Sequence, residues 1–516
     1  MRQRITFIHK PEQGIDVQEL QIAGYSLGGP EFLAAREDRI TLALDELPAE
    51  LSDVLQSCHE LHVRWVSPLA YETVAPLLSR LSPGFHLFYT PGKTRGEVED
   101  GPDTAMLCQA LSKSFGIQIC SSSRAFARLP NDRFSHSAAL YFYEPRENLN
   151  SLVDYLSTRI CATLGGHGDS AVSHCRERAE RLRDAASLDI SYDTISHALK
   201  VTAQWPKKRQ SVSVSSLPGH RTEVGILGED PSVRTEAEEV GISGALTVLG
   251  DQKTPSPVMF AVPSRHRVSG ASFSSAFVSP TGLHPTLRLR ISSGQRPRED
   301  ASCALHAYFT LPKSIFPDRY QLSDELFLRS KNLTALRYAS SPIDLEAPAY
   351  ATETWGSSIL LELTPPTSGE KEDEASGPWT AEVPLHLRYL APNSDGYAEV
   401  EAPYPAVFWA CPAEEGTKFP NNPFDRVHLG YDALFGPRTA FWHVEPRAED
   451  AGGSGGRLMS PIRVPVLDED DASWVRAGTA AAVVVGFAWV LWTLVAAYMK
   501  SGYGREKESR EAKKKQ

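Results

Sequence analysis

AGTAAAVVVGFAWVLWTLVAAYM, residues 477–499, is the stretch on which the reading of this chain turns. It runs for 23 residues without a charge, closed by Arg476 on one side and Lys500 on the other. A helix of that length rises about 34 Å, enough to cross a hydrocarbon core of about 30 Å. Thr479 and Thr493 are its only polar side chains apart from the aromatic tips, and a Thr hydroxyl can bond back to its own helix. Trp474 and Tyr498 stand near the two ends, where amphipathic rings favour the membrane interface. Soluble helices seldom run this long without a charged face. The expectation is a single-pass membrane protein.

Working outward, the charge on either flank sets the direction of the span. Residues 500–516 carry seven Lys/Arg against three Glu, whereas the other flank reads Asp468-Glu469-Asp470-Asp471. Excess Lys/Arg marks the cytoplasmic side, which places the large N-terminal part in the lumen. Residues 1–20 contain no apolar run of signal-peptide length, so a tail-anchored protein with a cytosolic interaction domain stays open. Two short motifs lean toward the lumenal reading. Asn332-Leu333-Thr334 is an N-glycosylation acceptor, and Lys513 and Lys514 stand fourth and third from the end, as in a dilysine signal for retrieval to the endoplasmic reticulum. The bland reading of that tail is a basic segment beside anionic lipid.

The length of 516 residues leaves room for two to four domains. Net charge is −11; the tail contributes +4, so the rest carries about −15. An acidic body without a basic stripe excludes nucleic acid as the expected partner. The seven cysteines are scattered without CxxC spacing, which removes the usual zinc and thioredoxin-like patterns. In an oxidising lumen an odd count leaves at least one thiol unpaired; a fully reduced set fits the sequence equally.

Short apolar runs alternate with helical patterns over 1–165, predicting strands at 5–8, 40–44, 61–66, 85–89 and 138–143 and helices at 50–58, 71–81, 103–114 and 149–164. This is an α/β-type N-terminal domain, followed by a charged helix at 174–184. From 188 to 268 the pattern becomes strands separated by Pro/Gly turns, with 197–205 and 211–215 as separate strands, as in a sandwich. A Ser-rich stretch at 269–280 is the expected boundary to a second β-rich domain at 281–445, whose strands include 384–390 and which an acidic loop at 365–378 interrupts. Residues 446–475 read as a flexible acidic tether, 477–499 as the transmembrane helix and 500–516 as a basic cytosolic tail. The class is α+β.

The search for chemistry yields no catalytic, cofactor-binding or metal-binding residues. Asp468-Glu469-Asp470 has the D-x-D form of metal-dependent glycosyltransferases, which keeps an independent membrane-anchored glycosyltransferase as the alternative. Its juxtamembrane position lacks a pocket. Gly452-Gly453-Ser454-Gly455-Gly456 contains G-x-S-x-G without the strand and helix of a nucleophile elbow. Gly165-Gly166-His167-Gly168 lacks the setting of a phosphate loop. His266, in Ser264-Arg265-His266-Arg267, reads as part of a polar turn. Within the span, Gly478, Ala482 and Gly486 recur every four residues, a helix-packing face that lets a second helix approach.

Five ordered motifs carry a resemblance. They are 305–312 (LHAYFTLP) with 315–322 (IFPDRYQL), 343–348 (IDLEAP), 384–390 (PLHLRYL), 404–411 (YPAVFWAC) and 422–426 (NPFDR). The first four resemble the PIG-X family, and the longer N-terminal architecture together with 422–426 resembles its filamentous-fungal branch, the protease B nonderepressible form proteins. The resemblance implies an endoplasmic-reticulum membrane glycoprotein, lumenal domain first, with one C-terminal span. It also implies a noncatalytic partner of the PIG-M-like catalytic subunit of GPI mannosyltransferase I, which adds the first mannose to GPI-anchor precursors. A wider role in the stability of other endoplasmic-reticulum proteins is attributed to the fungal branch. No catalytic residue or cofactor is carried over.

Overall fold

The computed structural model describes every residue except 93–103, 121, 130–139, 164–168, 218, 235, 237, 299–301, 342, 367–376, 420–421, 450–455 and 502–516. Apolar alternation with β-branched and aromatic residues builds most of the chain into strands. Twelve of them form one sheet: β1 (Arg2–His9), β2 (Gln21–Ala23), β3 (Ser26–Ala43), β4 (Cys58–Val66), β5 (Gly84–Pro91), β6 (Ala127–Arg128), β7 (Leu140–Glu144), β8 (Ser187–Asp193), β9 (Ala198–Ser215), β10 (Arg221–Glu229), β11 (Glu239–Val248) and β12 (Ser256–Pro263). Their order is β12-β11-β10-β1-β3-β9-β8-β4-β5-β7-β6, with β2 on β3; only β1–β10 is parallel. Segments 1–165 and 188–268, expected as separate domains, therefore interleave, because β8 and β9 insert between β3 and β4.

The cause is the pairing of two 18-residue strands, β3 and β9, from Ser26↔Ser215 to Ala43↔Ala198. The sequence predicts two short strands here, 197–205 and 211–215, with Pro206 falling between them. In the sheet Pro206 falls at the register shift between Ala34 and Arg36, where a missing N–H breaks no ladder bond. Pro30 sits at the other shift, between Gly28 and Glu31.

Helices α1 (Ala49–Gln56), α2 (Ala105–Phe115) and α3 (Asn150–Tyr155) cover the β4–β5–β7 end, burying Leu55, Leu111, Phe115 and Leu152 with Trp65, Phe85 and Phe142. A π turn at Leu156–Ile160 joins α3 to α4 (Cys161–Thr163), and α5 (Asp169–Arg181) follows. The helix expected at 71–81 is absent. Pro76 would clash inside it, and the segment runs irregularly while burying Val74 and Leu78.

An eight-stranded second sheet uses β13 (His266–Phe277), β14 (Thr286–Ile291), β15 (Ala304–Pro312), β17 (Leu333–Ala339), β18 (Gly356–Leu363), β19 (Trp379–Pro384), β22 (Ala406–Pro412) and β23 (Thr439–Pro446), in the order β17-β18-β15-β22-β23-β13-β14-β19. Two small ribbons add β16 (Ile315–Phe316) with β20 (His386–Leu387), and β21 (Tyr397–Pro403) with β24 (Met459–Pro465). The Ser-rich stretch is thus a strand and no boundary: Ala271, Phe273 and Ser275 alternate inward along β13. The strand expected at 384–390 divides between the end of β19 and β20. Helix α6 (Glu325–Arg329) leads into β17, with Asp324 accepting N–H bonds at its start.

Both sheets belong to one compact unit, Met1–Arg388 with Val400–Ile462; a second comprises Tyr389–Glu399 and Arg463–Gln516. In the second, the Val466 N–H donates to Gly396 O (3.0 Å) and the Asn393 N–H to Leu467 O (3.1 Å). Helix α7 (Glu469–Ser501) follows, 33 residues with the apolar window wholly exposed, long and apolar enough to cross a membrane. The expected tether at 446–475 is corrected accordingly. β24 and the first turns of α7 occupy about half of it, while 450–455 lie outside the described residues.

Six of the seven cysteines pair as Cys108–Cys120, Cys161–Cys175 and Cys303–Cys411, and Cys58 is free and buried. The first joins the first turn of α2 to the loop after the helix. The second fastens α4 to α5. The third ties the adjacent strands β15 and β22, beside the Ala304↔Ala410 pair.

Candidate functional site

Strand β4 carries Glu60, His62 and Arg64 at alternate positions, so all three project from one face while Leu61, Val63 and Trp65 fill the core behind. That polar face is covered by the loop through 422–432, which crosses from the second sheet. Asn422 Nδ2 donates to Pro263 O (3.1 Å), and Phe424 packs on Leu227, Val240 and Ile242. Asp425 accepts from Ser264 Oγ (3.0 Å) and the Arg265 N–H (2.8 Å). Arg426 Nε reaches Asp189 Oδ2 at 2.6 Å, and Arg64 Nη1 reaches Asp189 Oδ1 at 2.5 Å. One buried carboxylate thereby bridges an arginine from each sheet region, and Arg64 also donates to the carbonyls of Val427 and His428.

His428 completes the arrangement. Its Nε2 lies 2.9 Å from Glu60 Oε1, as does His62 Nε2, and the two imidazoles stack with centroids 4.2 Å apart. The three ligand-type atoms all lie within 4.8 Å of one another. Burial opposes ionisation of Glu60, yet hydrogen bonds from His428 and His62 hold its carboxyl well below the usual carboxylate range. Burial pushes His62 down to about 4. On the same cleft wall Glu37 is buried and shifted upward by that burial, against the pull of Arg39 and Arg426. The cleft, about 1080 Å³, is lined by residues of β1, β3, β4, β8 and β9 and of the 422–437 segment. Motif reading missed this cluster because the sequence distance from His62 to His428 hides it. The one local signal is the alternation Glu-x-His-x-Arg within β4.

The residues singled out by sequence lie elsewhere and do not converge. Asn332 is exposed in the turn before β17, with φ 57° and its Nδ2 donating to Thr380 O at 2.8 Å. Gly478, Ala482 and Gly486 lie on exposed α7, and a Cβ built at either glycine meets nothing within 4 Å. Lys513, Lys514 and Gly165–Gly168 lie wholly or mostly outside the described residues, as does most of 452–456. Asp468 is occupied as a helix cap: its Oδ1 accepts the Asp470 N–H at 2.9 Å. His266 is buried in a knot, its Nδ1 2.9 Å from His443 Nε2.

Residues 280–495 match the family model described as PIG-X / PBN1. Protein pbn1 of Neurospora crassa is 55% identical over 504 residues, covering 98% of this chain and 97% of the relative. The chain belongs to the PIG-X / PBN1 family. Protein PBN1 of Gibberella zeae is 47% identical over 100% of this chain and 99% of its own length. Protein PBN1 of Yarrowia lipolytica is 27% identical over 89% of each chain. The PIG-X / PBN1 match covers β14 onward, through the second sheet and most of α7, while the fungal relatives extend the correspondence across the first sheet as well. Among solved structures, a chain described as BspA_C_mut covers 79% of this chain at a TM-score of 0.13 and 9% identity, which defines no shared fold.

Proposed function

We propose that this chain is a noncatalytic subunit of the endoplasmic-reticulum membrane, with its β-rich body in the lumen and its basic tail in the cytosol. It stabilises the PIG-M-like catalytic subunit of GPI mannosyltransferase I. The carrying observation is the end-to-end correspondence with fungal PBN1 relatives, which supports a role associated with GPI-anchor biosynthesis. Three disulfides suit an oxidising compartment and weigh against a cytosolic body. A multispanning enzyme offers the exposed α7 a neighbour, and the small residues 478, 482 and 486 permit close approach. The glycosyltransferase alternative loses its main support, because the D-x-D pair sits at a helix start with Asp468 engaged in capping.

The test is purification of the tagged full chain from membranes in mild detergent, with its companions identified by mass spectrometry. A multispanning mannosyltransferase in stoichiometric amount is expected. Recovery of the chain alone, with dolichol-phosphate-mannose-dependent transfer residing in it, overturns the reading.

A further inference from the structure

We propose that Glu60, His62 and His428 bind a divalent transition-metal ion of the zinc class, fastening the 422–432 loop to the first sheet. The inference is independent of the functional reading above. Two imidazole nitrogens and a carboxylate oxygen form the mixed N/O donor set that zinc, cobalt and nickel accept and that magnesium and calcium disfavour.

Bonds of about 2.0–2.1 Å in a tetrahedron set ligand–ligand edges of about 3.3–3.4 Å. Both His Nε2 atoms already stand 2.9 Å from the same Glu60 Oε1, so each donor needs to retreat by only a few tenths of an ångström. Glu60 and His62 cannot drift apart, since they share one face of a central strand paired on both sides, to β5 and to β8. His428 is held by other means. Its backbone stands at φ 60°, a left-handed conformation uncommon for a non-glycine residue and a cost that the surroundings must hold in place. Asp432 does so by accepting the N–H groups of His428 and Leu429, both at 2.9 Å, and Arg64 donates to the carbonyls of Val427 and His428.

The nearby guanidinium does not exclude a cation, because Arg64 is paired with Asp189 at 2.5 Å. All three donors line the wall of the cleft of about 1080 Å³, which leaves the fourth coordination position to water. An ion there would join β4 to a loop 366 residues later in the chain and so staple the two sheets. The distance in sequence also explains why no zinc-finger spacing marks it.

The experiment strips the detergent-purified full chain with a chelator, then titrates it with cobalt(II) alone, followed by zinc as competitor. One equivalent of cobalt with the visible bands of a tetrahedral centre, displaced by one equivalent of zinc, is expected. Zinc should raise the melting temperature of the wild type. Glu60→Gln keeps the size and the hydrogen-bond acceptor that the histidines use, so it should fold yet bind more than about 100-fold more weakly. Glu353→Gln, at an exposed carboxylate elsewhere, should bind as wild type does. Less than about 0.1 equivalent bound by the folded wild type, or binding unaffected by Glu60→Gln and His428→Gln, overturns the proposal.

Discussion

Removing the Cys303–Cys411 bridge should destabilise the body more than removing either of the other two. Its sequence separation is 108 residues, against 12 for Cys108–Cys120 and 14 for Cys161–Cys175. In the chain-entropy description a bridge acts by restricting the unfolded chain, about 4.7 kcal/mol for the long loop and about 3 kcal/mol for each short one. The predicted gap is about 1.7 kcal/mol, a large share of the roughly 5–15 kcal/mol that stabilises a domain. All four cysteines compared are almost fully buried, so the packing loss on substitution by Ala is similar in the two double variants and leaves the gap to the loop entropy. The comparison is Cys303→Ala with Cys411→Ala against Cys108→Ala with Cys120→Ala, read by pulse proteolysis of the detergent-solubilised chain across a urea series. A companion measurement counts thiols: the wild type, denatured without reductant, should react with maleimide once, at Cys58. Equal destabilisation by the two double variants would refute the loop-entropy reasoning. Seven reactive thiols would refute the oxidised body altogether.

Asn332→Gln should abolish the shift that endoglycosidase H produces on the wild-type band, since that side chain is exposed. A wild type without a shift, whose body is digested by protease in intact microsomes, contradicts the lumenal orientation. Lys513→Ser with Lys514→Ser should let part of the protein acquire Golgi sugars on Asn332; unchanged glycans would assign retention to another element. Gly486→Leu should reduce recovery of the partner severalfold by pushing helices apart, whereas Asp468→Asn with Asp470→Asn should leave mannose transfer nearly unchanged. Acid should destabilise the body. Burial pushes the His86 imidazole down to about 3 and that of His306 to about 4, whereas both take up a proton near 6.5 once unfolded. The unfolded chain then binds more protons, so stability is full above pH about 6.5 and falls as pH drops toward those lower values. Pulse proteolysis across that range should show a steady decline; a flat profile contradicts the buried, neutral state.

The long apolar helix α7 was legible because 23 uncharged residues admit few other readings. So were strands such as β1, β4 and β5, whose apolar runs need no partner to be recognised. What escaped were properties of pairing. Pro206 and Pro30 punctuate β9 and β3 locally, yet each sits at a bulge that only the 18-residue ladder reveals. The Ser-rich stretch 269–280 suggests a domain boundary, though Ser269, Ser272 and Ser274 are more exposed positions of β13 than Ala271, Phe273 and Ser275, which point inward. The seven cysteines gave no connectivity, since spacing alone cannot choose among pairings. The Glu60–His62–His428 cluster was invisible for a related reason: a polar strand face reads as solvent-facing until a distant loop is seen to cover it. The 422–426 motif was noticed as a family mark. Its physical task, tying Pro263, Ser264 and Asp189 to the second sheet's loop, emerged only from the contacts.

If this chain supports an enzyme without performing the reaction, its loss should act through the abundance of that enzyme. The most direct measurement is to deplete the chain from cells and quantify, in the same membranes, the mannosyltransferase catalytic subunit and the GPI precursors. The account predicts that the catalytic subunit falls in step with the depleted chain while the unmannosylated glucosaminyl precursor accumulates, and that raising the catalytic subunit's expression partly restores transfer. Loss of mannose transfer with the catalytic subunit present at its full level would contradict it.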